Sequence, residues 1–120
     1  MRFTRLTTTL TALVAAGALA ATAYAHTEVK STSPAKGKTA SKRISSVTVT
    51  FTGTIRSGTL KVTGPGGKTY STGGGRDPRN VKRLKAPLKS SKPAGRYKAS
   101  WSIKAADGHT QRGSFTFKLK

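Results

Sequence analysis

Two histidines and three acidic side chains are all the imidazole and carboxylate this chain carries, and it has no cysteine. One carboxylate and one imidazole share a short segment, Asp107-Gly108-His109, two positions apart. In extended backbone such residues project to one side, and the glycine between them lets the chain curve so that both approach one ion. Taken alone the pattern is weak, because Asp-Gly is a common turn and a loop histidine is usually solvated. The position of the other histidine, His26, turns the pair into a metal-binding expectation.

His26 directly follows Ala23-Tyr24-Ala25, the small-residue end of an uncharged apolar run from Leu10 to Ala21 that is preceded by Arg2 and Arg5. This order predicts a secretory signal peptide over residues 1–25 with an A-x-A cleavage site. The apolar run is too short for a membrane helix of about 20 residues, which disfavours the alternative of an uncleaved anchor. Cleavage after Ala25 would expose His26 as the new terminus of an exported domain, residues 26–120. Its α-amine and imidazole Nδ1 could then chelate one metal, with Asp107 and His109 completing an N,N,N,O set. Nitrogen-rich ligation with a carboxylate favours Cu(II), whereas zinc would take the same atoms tetrahedrally. The single methionine, Met1, leaves with the leader, so no soft thioether site for Cu(I) is available. Thr110 and Arg112 flank the set, while Glu28 and Asp77 read as surface residues or turn formers.

The charge balance is extreme, with 23 Lys and Arg against 3 acids and a net +20. Such a surface repels cations at long range and attracts polyanions such as phosphate-rich walls, anionic lipid or nucleic acid. A solvated, soluble exterior is the plainer reading. The field opposes cation capture only weakly, since exposed charges are screened beyond about 8 Å. Export leads to a compartment where disulfides form, yet without cysteine this small domain must hold together by packing.

The elements that must position these ligands are strands. Tyr97, Ala99, Trp101 and Ile103 fall on every second position, as do Phe115, Phe117 and Leu119, so two runs flanking the Asp107–His109 loop each offer one apolar face. Val47, Val49 and Phe51 alternate with threonines in another strand. After a break from Gly53 to Gly58, Leu60 and Val62 mark the next one, and Gly64-Pro65-Gly66-Gly67 turns it back through Lys68-Thr69-Tyr70. Val29 and Ile44 are expected to face the core from an edge strand and a lead-in segment. Val81, Leu84 and Leu88 suggest a further short strand. Ser33-Pro34-Ala35-Lys36-Gly37 reads as a turn, and Gly73-Gly74-Gly75 as a flexible loop, since neither a helix start nor a phosphate-loop motif follows it. No helical periodicity is sustained after residue 25. Short strands about ten residues apart predict an all-β, Greek-key immunoglobulin-like sandwich or barrel.

Across residues 26–120 the sequence resembles the CopC family of periplasmic or secreted copper-resistance proteins. The likeness is carried by the N-terminal His, Ser33-Pro34-Ala35-Lys36-Gly37, Val49-Thr50-Phe51 and Leu60-Lys61-Val62. C-terminally it continues through Gly73-Gly74-Gly75, Asp77-Pro78, Pro93-Ala94-Gly95-Arg96-Tyr97, Ser100-Trp101, Asp107-Gly108-His109 and Gly113-Ser114-Phe115-Thr116-Phe117. The resemblance implies a Greek-key β-barrel or sandwich that binds Cu(II) through His26, Asp107 and His109, without enzymatic activity. It also implies a role in copper capture, resistance or delivery, with a membrane copper transporter of the CopD type as a partner. Some relatives have a methionine-rich Cu(I) site that has no counterpart here, and some have a Glu where this chain reads Phe51-Thr52-Gly53. The alternative is a basic secreted module binding envelope polyanions with an incidental metal site. A copper oxygenase is disfavoured because the loops are short and basic and Asp107 would crowd the coordination position that oxygen activation needs. Nucleic acid is not an expected partner, since no reading helix or zinc-finger spacing is present.

Overall fold

The computed structural model describes residues 26–120, so the expected leader over 1–25 lies outside the described residues. Eight strands follow in chain order: β1 (Val29–Ser33), β2 (Thr39–Ala40), β3 (Ser46–Phe51), β4 (Ile55–Thr63), β5 (Gly75–Arg76), β6 (Arg83–Pro87), β7 (Gly95–Ala105) and β8 (Thr110–Leu119). They form one mixed sheet in the order β1-β3-β6-β5-β4-β7-β8-β2. All neighbours are antiparallel except β2, which runs parallel to β8. The sheet curls around its apolar face, giving the expected all-β Greek-key sandwich or barrel with no α-helix among the described residues.

Strict alternation is what makes this sheet one-sided. In β3 the inward residues Val47, Val49 and Phe51 are fully buried, and in β7 and β8 Tyr97, Ala99, Ile103, Phe115, Phe117 and Leu119 take the same face. Register is set where these faces meet: Tyr97 pairs with Phe117 and Ala99 with Phe115. The Tyr97 and Phe117 rings stack at 5.7 Å, and Tyr70 meets Tyr97 edge-on at 5.3 Å. The Tyr97 hydroxyl donates to the Pro93 carbonyl at 2.6 Å, so its one polar group stays satisfied inside the core. Burial pushes that phenol upward from its ordinary pKa, with Tyr70 adding to the effect.

Several expectations need correction. Val29 is 43% exposed: it pairs with Phe51 at the edge of the sheet and lines an open apolar cleft with Trp101 and Phe115 instead of a closed core. Val81 is 47% exposed in the turn before β6, where Leu84 and Ala86 are the inward pair. The break after β3 is shorter than expected: β4 already begins at Ile55, and a bulge at Arg56 separates the paired residues Ile55 and Ser57. Arg76 Nη1 donates to the Ile55 and Arg56 carbonyls at 3.2 Å each, which satisfies the backbone that the bulge leaves unpaired. The triple-glycine segment also ends in structure, because Gly75 and Arg76 bridge β4 and β6. Asp77 is buried rather than a surface residue. It forms the turn before β6, accepting from the Arg79 amide at 2.9 Å and from Arg83 Nε at 3.0 Å.

Candidate metal centre

The hairpin between β7 and β8 closes over four residues. The Ala105 amide donates to the His109 carbonyl at 2.8 Å and the Gly108 amide to the Ala105 carbonyl at 2.9 Å. Gly108 has a φ of 91°, which a side chain would resist, so glycine is what permits this tight turn. Within it the Asp107 carboxylate grips His109 twice. Oδ1 accepts from the His109 backbone amide at 2.9 Å, and Oδ2 lies 3.0 Å from His109 Nδ1. These two bonds, backbone first, hold the Asp107 carboxyl below its ordinary pKa; partial burial opposes them, and the charges of His109 and then His26 assist. With Nδ1 directed at the carboxylate, a neutral His109 ring carries its lone pair on Nε2, a common metal-binding atom. Each carboxylate oxygen keeps a second lone pair.

The segment that carries His26 is tied to the strand after this hairpin by a clamp on the residue that follows it. The Thr27 amide donates to Gln111 Oε1 at 3.3 Å, and Gln111 Nε2 donates back to the Thr27 carbonyl at 2.8 Å. The Gln111 side chain thus bonds Thr27 as a neighbouring strand's peptide unit would. On the other side Thr27 Oγ1 accepts from the Gly53 amide at 2.7 Å, while the Glu28 amide donates to Thr52 Oγ1 at 3.0 Å and the Thr52 amide to the Glu28 carbonyl at 2.8 Å. Thr27 is 5% exposed as a result, and the segment is tied both to β8 and to the end of β3. Gly53 suits this place because a Cβ there would meet Thr27 Oγ1 at 3.1 Å.

Two of the three expected ligands, Asp107 and His109, are in direct contact, and the charge of the third, His26, is the smallest of the causes that lower the Asp107 pKa. No group of three or more His, Cys, Asp or Glu side chains is gathered into a metal-holding cluster among the described residues. Glu28 is exposed on the tethered segment, and Asp77 is committed to Arg83. The residues that sequence reasoning missed are Thr27 and Gln111. A signal for Gln111 existed: it is the chain's single glutamine and falls on the inward alternation with Phe115, Phe117 and Leu119, where an amide needs a partner.

Residues 29–120 match the CopC domain, more than half of the chain. The chain belongs to the CopC family. Among curated proteins it is similar to protein YobA of Escherichia coli K12, 28% identical over 100 residues that cover 81% of each chain. Among solved structures it is similar to CopC from Methylosinus trichosporium OB3b, with a TM-score of 0.69, 18% identity, and 79% of this chain and 94% of that one covered. PcoC, a methionine-rich copper resistance protein from Escherichia coli, superposes with a TM-score of 0.66 at 22% identity, covering 80% of this chain and 100% of PcoC. At these identities the structural likenesses speak for the CopC fold alone. Unlike a methionine-rich protein, this CopC-family chain has a single methionine, at position 1.

Proposed function

We propose that this protein captures Cu(II) outside the cytoplasmic membrane and buffers, delivers or sequesters it, with no catalytic step. The ligands in this reading are the α-amine and imidazole of His26 after removal of residues 1–25, together with Asp107 and His109. The observation that carries it is the Thr27–Gln111 clamp, which tethers the segment bearing His26 to the strand that follows Asp107 and His109. Membership of a family whose solved relatives include a copper resistance protein supports the choice of metal. A nitrogen-rich set with one carboxylate favours Cu(II) over the other divalent ions, and once residues 1–25 are removed no thiolate or thioether side chain is left to hold Cu(I).

Binding through the amine requires its deprotonation. An unperturbed α-amine titrates at about 7.7–8.0, so Cu(II) affinity should fall steeply as the pH drops. Calorimetric Cu(II) titration of protein beginning at His26 should give tight one-to-one binding. A protein carrying one extra residue before His26 should bind far more weakly, and equal affinity would remove the amine from the ligand set. Electron paramagnetic resonance of the Cu(II)-loaded protein, compared with His26→Ala, Asp107→Ala and His109→Ala, should show altered coordination in each variant. Delivery to a membrane copper transporter of the CopD type is part of the same proposal and would be tested by copper transfer between the purified pair.

A further inference from the structure

Cations lie all over this chain, and the outer face of three adjacent strands presents them without a single acidic residue. On β4, β7 and β8 every inward position is apolar, small or the clamped Gln111, and the opposite face carries Lys61, Arg96, Lys98, Lys104, Arg112 and Lys118, all exposed. Between these cations stand only Ser and Thr. Register sets Thr59, Ser102 and Arg112 in one row across the three strands, Lys61, Ser100 and Ser114 in the next, and Thr63, Lys98 and Thr116 in a third. No acidic residue belongs to these three strands. Where the face dips, a cleft of about 320 Å³ is lined by Lys104 and Arg112 and by the hydroxyls of Ser57, Thr59, Ser102 and Thr110.

We infer that the outer face of β4, β7 and β8 docks a flexible, linear phosphate polymer, with the cleft between Lys104 and Arg112 seating one phosphate group. Charge complementarity carries the inference, because cations interleaved with hydroxyl donors satisfy both the charge and the oxygens of a phosphate. The composition of the face decides among anionic partners. A bilayer surface held by amphipathic segments is engaged through apolar anchors inserted beside the cations, and neither exposed large hydrophobic of the described residues, Val29 or Val81, lies on these strands. Unpaired nucleic acid is held by aromatic rings on which bases stack, whereas Tyr97, Phe115 and Phe117 are buried beneath the face. A linear phosphate polymer needs neither an apolar anchor nor a stacking ring, and cations interleaved with hydroxyl donors are what it does require. None of its residues is a proposed copper ligand, and the cleft adjoins the hairpin that carries Asp107 and His109, through Lys104 and Thr110.

The test uses the exported protein with fluorescently labelled long-chain inorganic polyphosphate as the probe, titrated at several salt concentrations. The triple variant Lys61→Gln, Lys104→Gln, Arg112→Gln is compared with Lys30→Gln, Lys82→Gln, Lys89→Gln, which loses the same charge from exposed positions elsewhere. The face variant should lose at least about tenfold more affinity than its control, and the slope of log K against log salt should shallow by about 2. Arg112→Gln alone should shallow it by about 0.7, which keeps the proposal testable if the triple variant folds poorly. Equal losses in the two triple variants would reduce the effect to net charge and overturn the proposal. Tighter binding to phosphatidylglycerol vesicles or to single-stranded DNA than to polyphosphate would overturn it in favour of those partners.

Discussion

Gln111 joins a peptide unit 84 positions away, and both of its bonds reach a residue that is almost fully enclosed. Truncation to alanine leaves the Thr27 amide and carbonyl without that partner, and a buried polar group left unsatisfied costs about 1–3 kcal/mol. Gln111→Ala is therefore expected to destabilise the fold by that amount in chemical denaturation. If His26 is a copper ligand, the same change should also weaken Cu(II) binding by about tenfold, because ordering the freed segment would then have to accompany binding. Thr27→Val is the companion case: it keeps the shape but removes the oxygen that accepts from the Gly53 amide, and should lose stability comparably. A Gln111→Ala protein with weaker stability but unchanged Cu(II) affinity would separate the clamp from the metal site. Tyr97→Phe removes the hydroxyl that donates to the Pro93 carbonyl. Pro93 is exposed, so water can replace the lost donor, and the expected cost is only about 1 kcal/mol by thermal unfolding.

At the scale of elements, the contact between β7 and β8 depends on what is missing from one of them. Trp101 pairs with Gly113 in register, and a Cβ at Gly113 would lie 2.4 Å from the indole. The ring lies across that glycine, half-buried, with its edge relation to Phe51 at 5.0 Å. Gly113→Ala should push the indole off this seat and destabilise the domain by about 1–3 kcal/mol, the usual cost of overpacking. The displaced ring should show as a shift in the emission of this single tryptophan. Strands with strict alternation were legible from residue types, because only one register buries Val47, Val49 and Phe51, or Phe115, Phe117 and Leu119. The nearness of Asp107 and His109 was legible too, as a two-residue spacing across a glycine, though the bond between them was not. What alternation does not encode is compensation at irregular points. Val29 opposite Phe51 lines an open cleft at the sheet edge, Arg76 bonds the carbonyls at the Arg56 bulge from 20 residues away, and Asp77 is buried because its carboxylate accepts from Arg83 and a turn amide. The first two rest on partners far along the chain, and the third on a turn that alternation does not describe.

For the molecule as a whole, acid is where a net charge of +20 meets a shortage of carboxylates. Two of the three acidic groups, Asp77 and Asp107, sit below the ordinary aspartate value of 3.8. For Asp77 the Arg79 amide is the largest cause, with burial opposing it and the bond and charge of Arg83 reinforcing it. A carboxyl whose pKa is lower in the folded state than in the unfolded one contributes stability above the unfolded value, and loses it as pH falls through the folded one. That contribution is thus complete at neutral pH and declines only below about pH 4. Protonation also removes negative charge from a molecule already strained by self-repulsion, which salt screens. Thermal unfolding from pH 7 down to 2 should therefore show the wild type losing stability below about pH 4, and losing less of it as salt is added. Asp77→Asn should be less stable than the wild type at pH 7, with the gap narrowing through the same acid range as the wild-type carboxyl protonates. Melting curves for the two proteins that stay a constant interval apart down to pH 2 would mean that the Asp77 carboxylate contributes nothing through its charge, and that the acid sensitivity lies elsewhere.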